Sequence, residues 1–242
     1  MKQSLPDLSE IKAFFFDAGG TLFRPYPSVG EIYAEVARRH GVTSDPQELE
    51  TLFHRTWEKH DGLASLARRS GQRSGQKEER EWWRSLVGEV FSQFGRMENF
   101  EAFFDELYDR FASPGAWRLF DDTLPLLQEL KRRGRILGIV SNWDSRLFGL
   151  CEGLGLSPYL DFILASAVVG FAKPNPRIFQ EALRRARVRP EEALHVGDSL
   201  EDDVWGAREA GIQAIFLDRK GNRSSQVPTI SALQFLTGLF EN

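Results

Sequence analysis

A doubly wound, mostly parallel α/β sheet carrying a helical insert is the fold class the sequence predicts, on three observations. Apolar runs without polar alternation recur, each followed by a helical pattern, as strands covered on both faces require. The gap between the first run and the second is far too long for one crossover helix. Polar, chemistry-bearing residues stand where the runs stop, the edge at which open α/β sheets bind ligands.

The expected strands are Ala13–Phe16, Ile136–Val140, Phe162–Ala165, Ala193–Val196 and Ala214–Leu217. Their helices carry start signals, such as Pro176 ahead of the amphipathic stretch IFQEALRRA. From about Arg24 to Ala116 the pattern is helical instead. Ser28 with Glu31, and Asp45 with Glu48, have capping-box spacing, and Pro46 takes a first helical position. Further helices are expected over Glu79–Phe94 and Asn99–Phe111. Residues 1–23 and 116–242 therefore read as a Rossmann-like core, and residues 24–115 as a helical cap over the strand ends. Within the insert, ARRSGQRSGQKEER has the composition of a solvated loop, and Trp57, Trp82, Trp83 and Trp117 read as core aromatics.

Composition bounds the function classes. Of the 242 residues, 41% are hydrophobic and 27% charged, as in a globular domain, and the net charge of -4 points to neither nucleic acid nor an anionic membrane. Cys151 is the single cysteine, so an internal disulfide is impossible and a reducing, cytoplasmic setting is expected. MKQSLPDLSEIK lacks the apolar centre of a signal peptide. Nothing in the patterning sets an oligomeric state.

Four polar sites follow successive strands: Asp17; Ser141 with Asn142; Lys173 in GFAKPNPRIF; and Asp198 in DSLEDDVWGAREAG, which adds Asp202 and Asp203. Each alone has an ordinary explanation as a cap, turn former or helix-end charge. Together they describe phosphoryl transfer to a carboxylate, with Asp17 as nucleophile. Such a site needs Mg²⁺ to offset repulsion between phosphate and carboxylate. Asp17 and Asp198 would ligate it directly, Asp203 through water. Lys173 and the Ser141 hydroxyl would face the transferring oxygens.

FFFDAGGTL, SNWDS, AKPNPRIF and HVGDSLEDDVWGAREAG make the chain resemble the haloacid dehalogenase superfamily, most of whose members are phosphatases. YPSVGEIYAEVARRHG, EWW and SNWDSRL, with KPNPRIFQEAL, look closest to its haloacid dehalogenase-like hydrolase domain-containing subgroup. The resemblance implies that Asp17 is the nucleophile, Thr21 its support, and Ser141 and Asn142 phosphate-binding. It implies the superfamily lysine at Lys173, and metal contacts at Asp17, the Gly19 backbone carbonyl, Asp198 and Asp203. Asp202 matches no functional position. The expected substrate is a small phosphorylated, or alternatively halogenated, molecule.

Gly19 departs from that pattern. The superfamily's phosphatases carry there a second aspartate that protonates the leaving alcohol, and loss of such a group costs roughly 10²–10⁴-fold in rate. Four readings follow. The first is a phosphatase that takes good leaving groups, or borrows a proton from a cap residue such as His54, Glu58 or His60. The second is a 2-haloacid dehalogenase, whose halide departs without a proton. The third is a phosphonate hydrolase using Lys59. The fourth is a catalytically weak protein that binds a phosphorylated ligand. Arg24, Tyr26, Trp143 and Arg146, next to the motifs, are candidate substrate contacts.

Overall fold

The computed structural model describes residues 8–70, 73–94, 97–221 and 227–238, the side chains of 68–70 excepted. Residues 1–7 of the stretch read for a leader lie outside this description, as do 71–72 of the Gly-, Ser- and Arg-rich segment.

The chain enters the sheet with β1 (Ala13–Phe16), turns, and pairs β2 (Phe23–Pro25) antiparallel with β3 (Trp117–Leu119). Helices α1 (Val29–Arg39), α2 (Pro46–Lys59), α3 (Ala64–Ser70), α4 (Gln76–Phe91) and α5 (Phe100–Ala112) fill the interval between β2 and β3. The expected boundary after residue 23 falls inside β2, and the one before residue 116 lies just ahead of β3. Three residues per strand, without a long periodic run, are too few for the sequence to announce this ribbon.

The helix starts follow the capping chemistry. The Ser28 hydroxyl accepts from the Glu31 N–H, the Asp45 carboxylate from Gln47 and Glu48, and the Asn99 side chain from Ala102. α4 begins earlier than expected because Glu78 reaches back to accept from the Gly75 N–H at 3.0 Å. The supposed loop is thus mostly helical: its ARRS belongs to α3 and its QKEER to α4, both rich in good helix formers. The helices share an aromatic core that includes Tyr33, Trp82, Phe91, Phe103 and Phe104.

After β3 come α6 (Thr123–Arg132), β4 (Ile136–Ser141), α7 (Arg146–Gly153), β5 (Phe162–Ala165), the short α8 (Ser166–Val169), α9 (Pro176–Ala186) and β6 (Ala193–Gly197). A wide π-type turn, Leu200–Trp205, leads into α10 (Gly206–Glu209), then β7 (Gln213–Leu217), β8 (Thr229–Ile230) and α11 (Gln234–Gly238). All five expected strands are present to within a residue; β8 adds an edge. The six-stranded sheet is parallel throughout, ordered β5-β4-β1-β6-β7-β8. Numbered within the sheet this is 3-2-1-4-5-6, the doubly wound order of a Rossmann-like core, and its direction reverses between β1 and β6.

Both faces are covered. Phe14 and Phe16 pack with Leu127 of α6, Leu147 of α7 and Leu236 of α11; Ala13 and Phe15 pack with Ile178 and Phe179 of α9 and Ala207 of α10. That two-sided burial is why the strand runs carry no polar alternation. Among the described residues, no helix is long and apolar enough to cross a membrane. Cys151 is fully buried, and burial pushes its thiol up to about 12, so it is a packing residue.

Candidate active site

The reversal of strand order opens a crevice at the carboxyl ends of β1 and β6. Asp17 leaves β1 there, its N–H donating to Val196 O at 3.0 Å, and Asp198 follows the last residue of β6. The turn after Asp17 is tight: Leu22 N bonds Ala18 O at 2.8 Å and Gly20 N bonds Phe23 O at 2.9 Å. Arg219 pins it from outside, donating to Thr21 O at 2.8 Å and to both oxygens of Asp122. Gly20 has φ of 76°, and a β-carbon on it would run into the Asp198 carboxylate. The turn must therefore be bare for the two aspartates to approach.

Asp17, Asp198 and Asp203 each offer a carboxylate oxygen within 4.8 Å of the others. Lys173, only 2% exposed, reaches them from the loop ahead of α9: its Nζ lies 2.7 Å from Asp17 Oδ1 and 2.5 Å from Asp203 Oδ1. Burial would push the ammonium down, but the two carboxylates outweigh it and raise its pKa. Asp203 is likewise buried yet held far below the carboxylate range by Lys173 and by His195. Asp198 goes the other way. Burial, then the negative charges of Asp17 and Asp203, push it up to about 7, although its side chain keeps a solvent-exposed edge.

Three carboxylates against one ammonium leave a formal excess of two negative charges. An all-oxygen donor set with that excess fits Mg²⁺, a hard divalent cation that takes oxygen ligands.

The other expected residues are placed as follows. Ser141 ends β4 and is buried. Thr21 is fully buried, and its hydroxyl has no hydrogen-bond partner among the described residues. The Asn142 side-chain amide accepts from Lys173 N at 2.8 Å and donates to Lys173 O at 3.1 Å, so it fixes the lysine loop. It also donates to Asp202 at 3.3 Å, which gives Asp202 a structural task.

The space beside Gly19 holds an indole. A β-carbon on Gly19 would stand 2.9 Å from Cζ3 of Trp143. That ring is wedged edge-on against Phe23 (5.6 Å) and tilted against Trp117 (5.3 Å). Apolar atoms therefore fill the position where a side-chain acid would emerge. Of the inserted-helix residues considered as proton donors, His54 is engaged with Glu50 at 3.1 Å and His60 with Glu89 at 2.7 Å; Lys59, considered for a phosphonate hydrolase, is also on Glu89 at 2.6 Å. Glu58 is exposed on α2.

Two features escaped the sequence. His195, within β6, is fully buried with Nε2 2.9 Å from Asp203 Oδ1; its only trace in the sequence is one polar residue in an apolar strand. The second is a clasp between the loop after β4 and the inserted helices. Buried Asp144 accepts from Trp83 Nε1 at 2.7 Å and pairs with Arg146 at 2.6 Å. The guanidinium lies 4.8 Å from the Trp83 ring centre and 4.3 Å from that of Tyr108. Buried Glu79, raised by burial, accepts from the Ser145 N–H at 3.2 Å and hydroxyl at 2.5 Å. Arg146 is thus committed to Asp144. Arg24 and Tyr26 lie on the surface ribbon, Tyr26 beneath Arg118 at 4.9 Å. Trp57, Trp82 and Trp83 pack on one another at 5.1 to 5.7 Å inside the insert.

A family model described as haloacid dehalogenase-like hydrolase matches residues 11–211. The human haloacid dehalogenase-like hydrolase domain-containing protein 3 is 35% identical over 86% of this chain and 82% of its own length. A solved haloacid dehalogenase-type phosphatase from Thermococcus onnurineus is 26% identical with a TM-score of 0.68, covering 95% of this chain and 98% of that one. A 2-haloacid dehalogenase from Pseudomonas syringae pv. Tomato DC3000 is 25% identical with a TM-score of 0.63, over 96% and 98%.

Proposed function

The chain belongs to the haloacid dehalogenase-like hydrolase family, and from that premise we propose that it is a Mg²⁺-dependent phosphatase of small phosphorylated molecules with good leaving groups. The observation that carries this reading is the cluster of Asp17, Asp198 and Asp203, their oxygens within 4.8 Å, with Lys173 between two of them. A halide displacement at carbon has no use for such a cluster.

Asp17 and Asp198, with the Gly19 carbonyl, would hold Mg²⁺, and Asp203 would hold it through water. Bound there, the ion would neutralise the approaching phosphate and polarise its oxygens. Lys173 grips Asp17 Oδ1, which leaves the second oxygen to attack phosphorus. The P–O bond to the leaving group breaks as an aspartyl-phosphate forms on Asp17; water then hydrolyses that anhydride and frees phosphate. The Ser141 hydroxyl and the main-chain N–H groups of the 141–142 turn would steady the phosphoryl oxygens. The inserted helices would act as a cap over this crevice.

Trp143 beside Gly19 sets the substrate class. With an indole where a proton donor would stand, the leaving group must depart as a stable anion, so acyl and aryl phosphates are preferred over alkyl ones. The same packing favours a second reading, 2-haloacid dehalogenation, since halide needs no proton.

Phosphate release from aryl, acyl and sugar phosphates, with Mg²⁺ and with chelator, tests the proposal against Asp17→Asn. Halide release from 2-chloropropionate with chelator tests the alternative. Metal-dependent phosphate release abolished by Asp17→Asn supports the phosphatase. Halide release without metal, and no phosphate release, overturns it.

A further inference from the structure

We propose that His195 is a positioning residue of this site, holding Asp203 through its Nε2–H so that Asp203 in turn keeps Lys173 against Asp17. The proposal deepens the metal-dependent reading above and rests on it.

The geometry is a chain of hydrogen bonds from the interior of the sheet to the proposed nucleophile. His195 Nε2 lies 2.9 Å from Asp203 Oδ1; that oxygen also accepts from Lys173 Nζ at 2.5 Å, and Lys173 reaches Asp17 at 2.7 Å. Asp203 Oδ2 accepts from the Ser199 N–H at 2.9 Å. Both oxygens of Asp203 are therefore fixed by the protein. An ionised carboxylate only accepts, so a proton must sit on Nε2.

Space filling does not explain an imidazole here. The ring is fully buried, meets Phe179 edge-on at 5.1 Å, and leaves Nδ1 with no partner among the described residues. A leucine would fill such a place without stranding a polar atom. What imidazole adds is one N–H donor, fixed by the strand and aimed at Asp203 Oδ1. Without that donor, Asp203 Oδ1 has only Lys173; the carboxylate can pivot about its Oδ2 contact with the Ser199 N–H, and the ammonium follows it away from Asp17.

The test compares His195→Gln, whose amide nitrogen lies near the Nε2 position, with His195→Asn, whose nitrogen lies near Nδ1 and falls short of Asp203. His195→Leu removes the donor altogether. Mg²⁺ affinity is read by titration calorimetry, and kcat and KM with p-nitrophenyl phosphate. Removing the partner of a metal-site carboxylate weakens metal binding or activity roughly 10–100-fold. Asn and Leu variants should fall in that range for Mg²⁺ affinity and kcat with KM little changed, and the Gln variant should stay within about threefold of wild type. Asn and Leu variants that match wild type in both overturn the proposal. Should the Leu variant not fold, Gln against Asn decides alone. A wild-type chain that binds Mg²⁺ but releases no phosphate removes the phosphatase reading, while the Mg²⁺ comparison still decides His195. A wild-type chain that binds no Mg²⁺ overturns both.

Discussion

The indole of Trp143 occupies the place where a side chain on residue 19 would begin, 2.9 Å from the β-carbon that Gly19 lacks. Positions 19 and 143 therefore form a steric pair: a bare residue in the turn after β1 permits an aromatic residue in the turn after β4. Trp143 cannot simply step aside, because Phe23 and Trp117 hold it. The absent acid and the present indole are one structural fact.

The pair predicts non-additive substitutions. Gly19→Asp alone should lower stability by about 1–3 kcal/mol through overpacking. Gly19→Asp combined with Trp143→Leu should recover most of that. Relative to Trp143→Leu alone, the double variant should gain roughly 10²-fold or more on alkyl phosphates, because a proton donor now has room. Chemical denaturation and kcat/KM for an alkyl and an aryl phosphate measure both effects. A Gly19→Asp protein as stable as wild type would dismiss the steric pair.

The clasp at Asp144 predicts a graded loss of stability. Asp144→Ala strands the Arg146 guanidinium, whose side chain is 11% exposed, and should cost about 3–5 kcal/mol. Trp83→Phe keeps an aromatic face for Arg146 but removes the N–H to Asp144, and should cost about 1.5–3 kcal/mol, as for a hydrogen bond to a charged group. Urea denaturation of the two variants would show the order. A Trp83→Phe protein as stable as wild type would mean that the aromatic face, and not the N–H, holds the clasp.

How much of this was legible in the sequence depends on how each residue is placed. Asp17, Ser141 and Asp198 are positioned by strands whose apolar runs stop beside them, so a linear reading finds them. Lys173 precedes a helix with a proline start, which marks its loop. Trp143 is different: it follows Ser141 and Asn142 in a legible motif, but the direction of its ring is set by Phe23 and Trp117, distant in sequence. Asp144 lies in the legible SNWDS motif, but its burial under Trp83 of α4 joins segments distant in sequence. His195 sits inside a strand, where pattern reading registers only that the run is apolar.

Asp198 predicts an unusual pH dependence for the metal-free chain. Its pKa is raised to about 7 in the fold from an ordinary 3.8, so the folded state binds its proton more tightly. That contribution is full below the unfolded value and is lost as pH rises through about 7. His195, with a lowered pKa, acts oppositely as pH rises toward 6.5, and the depressed Asp203 matters only below 3.8. The difference between wild type and Asp198→Asn isolates the effect. In chelator, denaturation should show wild type losing ground to the variant as pH rises from about 4 to about 7. With saturating Mg²⁺ the wild type should instead gain across that window, since the ion requires the ionised carboxylate. A difference that does not change with pH would remove Asp198 as the strained member of the cluster.

Lys173 separates stability from chemistry. Its ammonium pairs with both Asp17 and Asp203, and all three groups are buried. Lys173→Met leaves two buried carboxylates facing each other and should cost about 3–5 kcal/mol. Adding Asp203→Asn removes one of those charges, so the double variant should be more stable than Lys173→Met alone. Hydrolysis should stay absent in both, because neither restores a cation beside Asp17. A double-mutant cycle by denaturation, with phosphate release on the same samples, measures the two together. If the costs simply add, Lys173 and Asp203 do not act as a pair in the fold, and the 2.5 Å contact between them does not stabilise it.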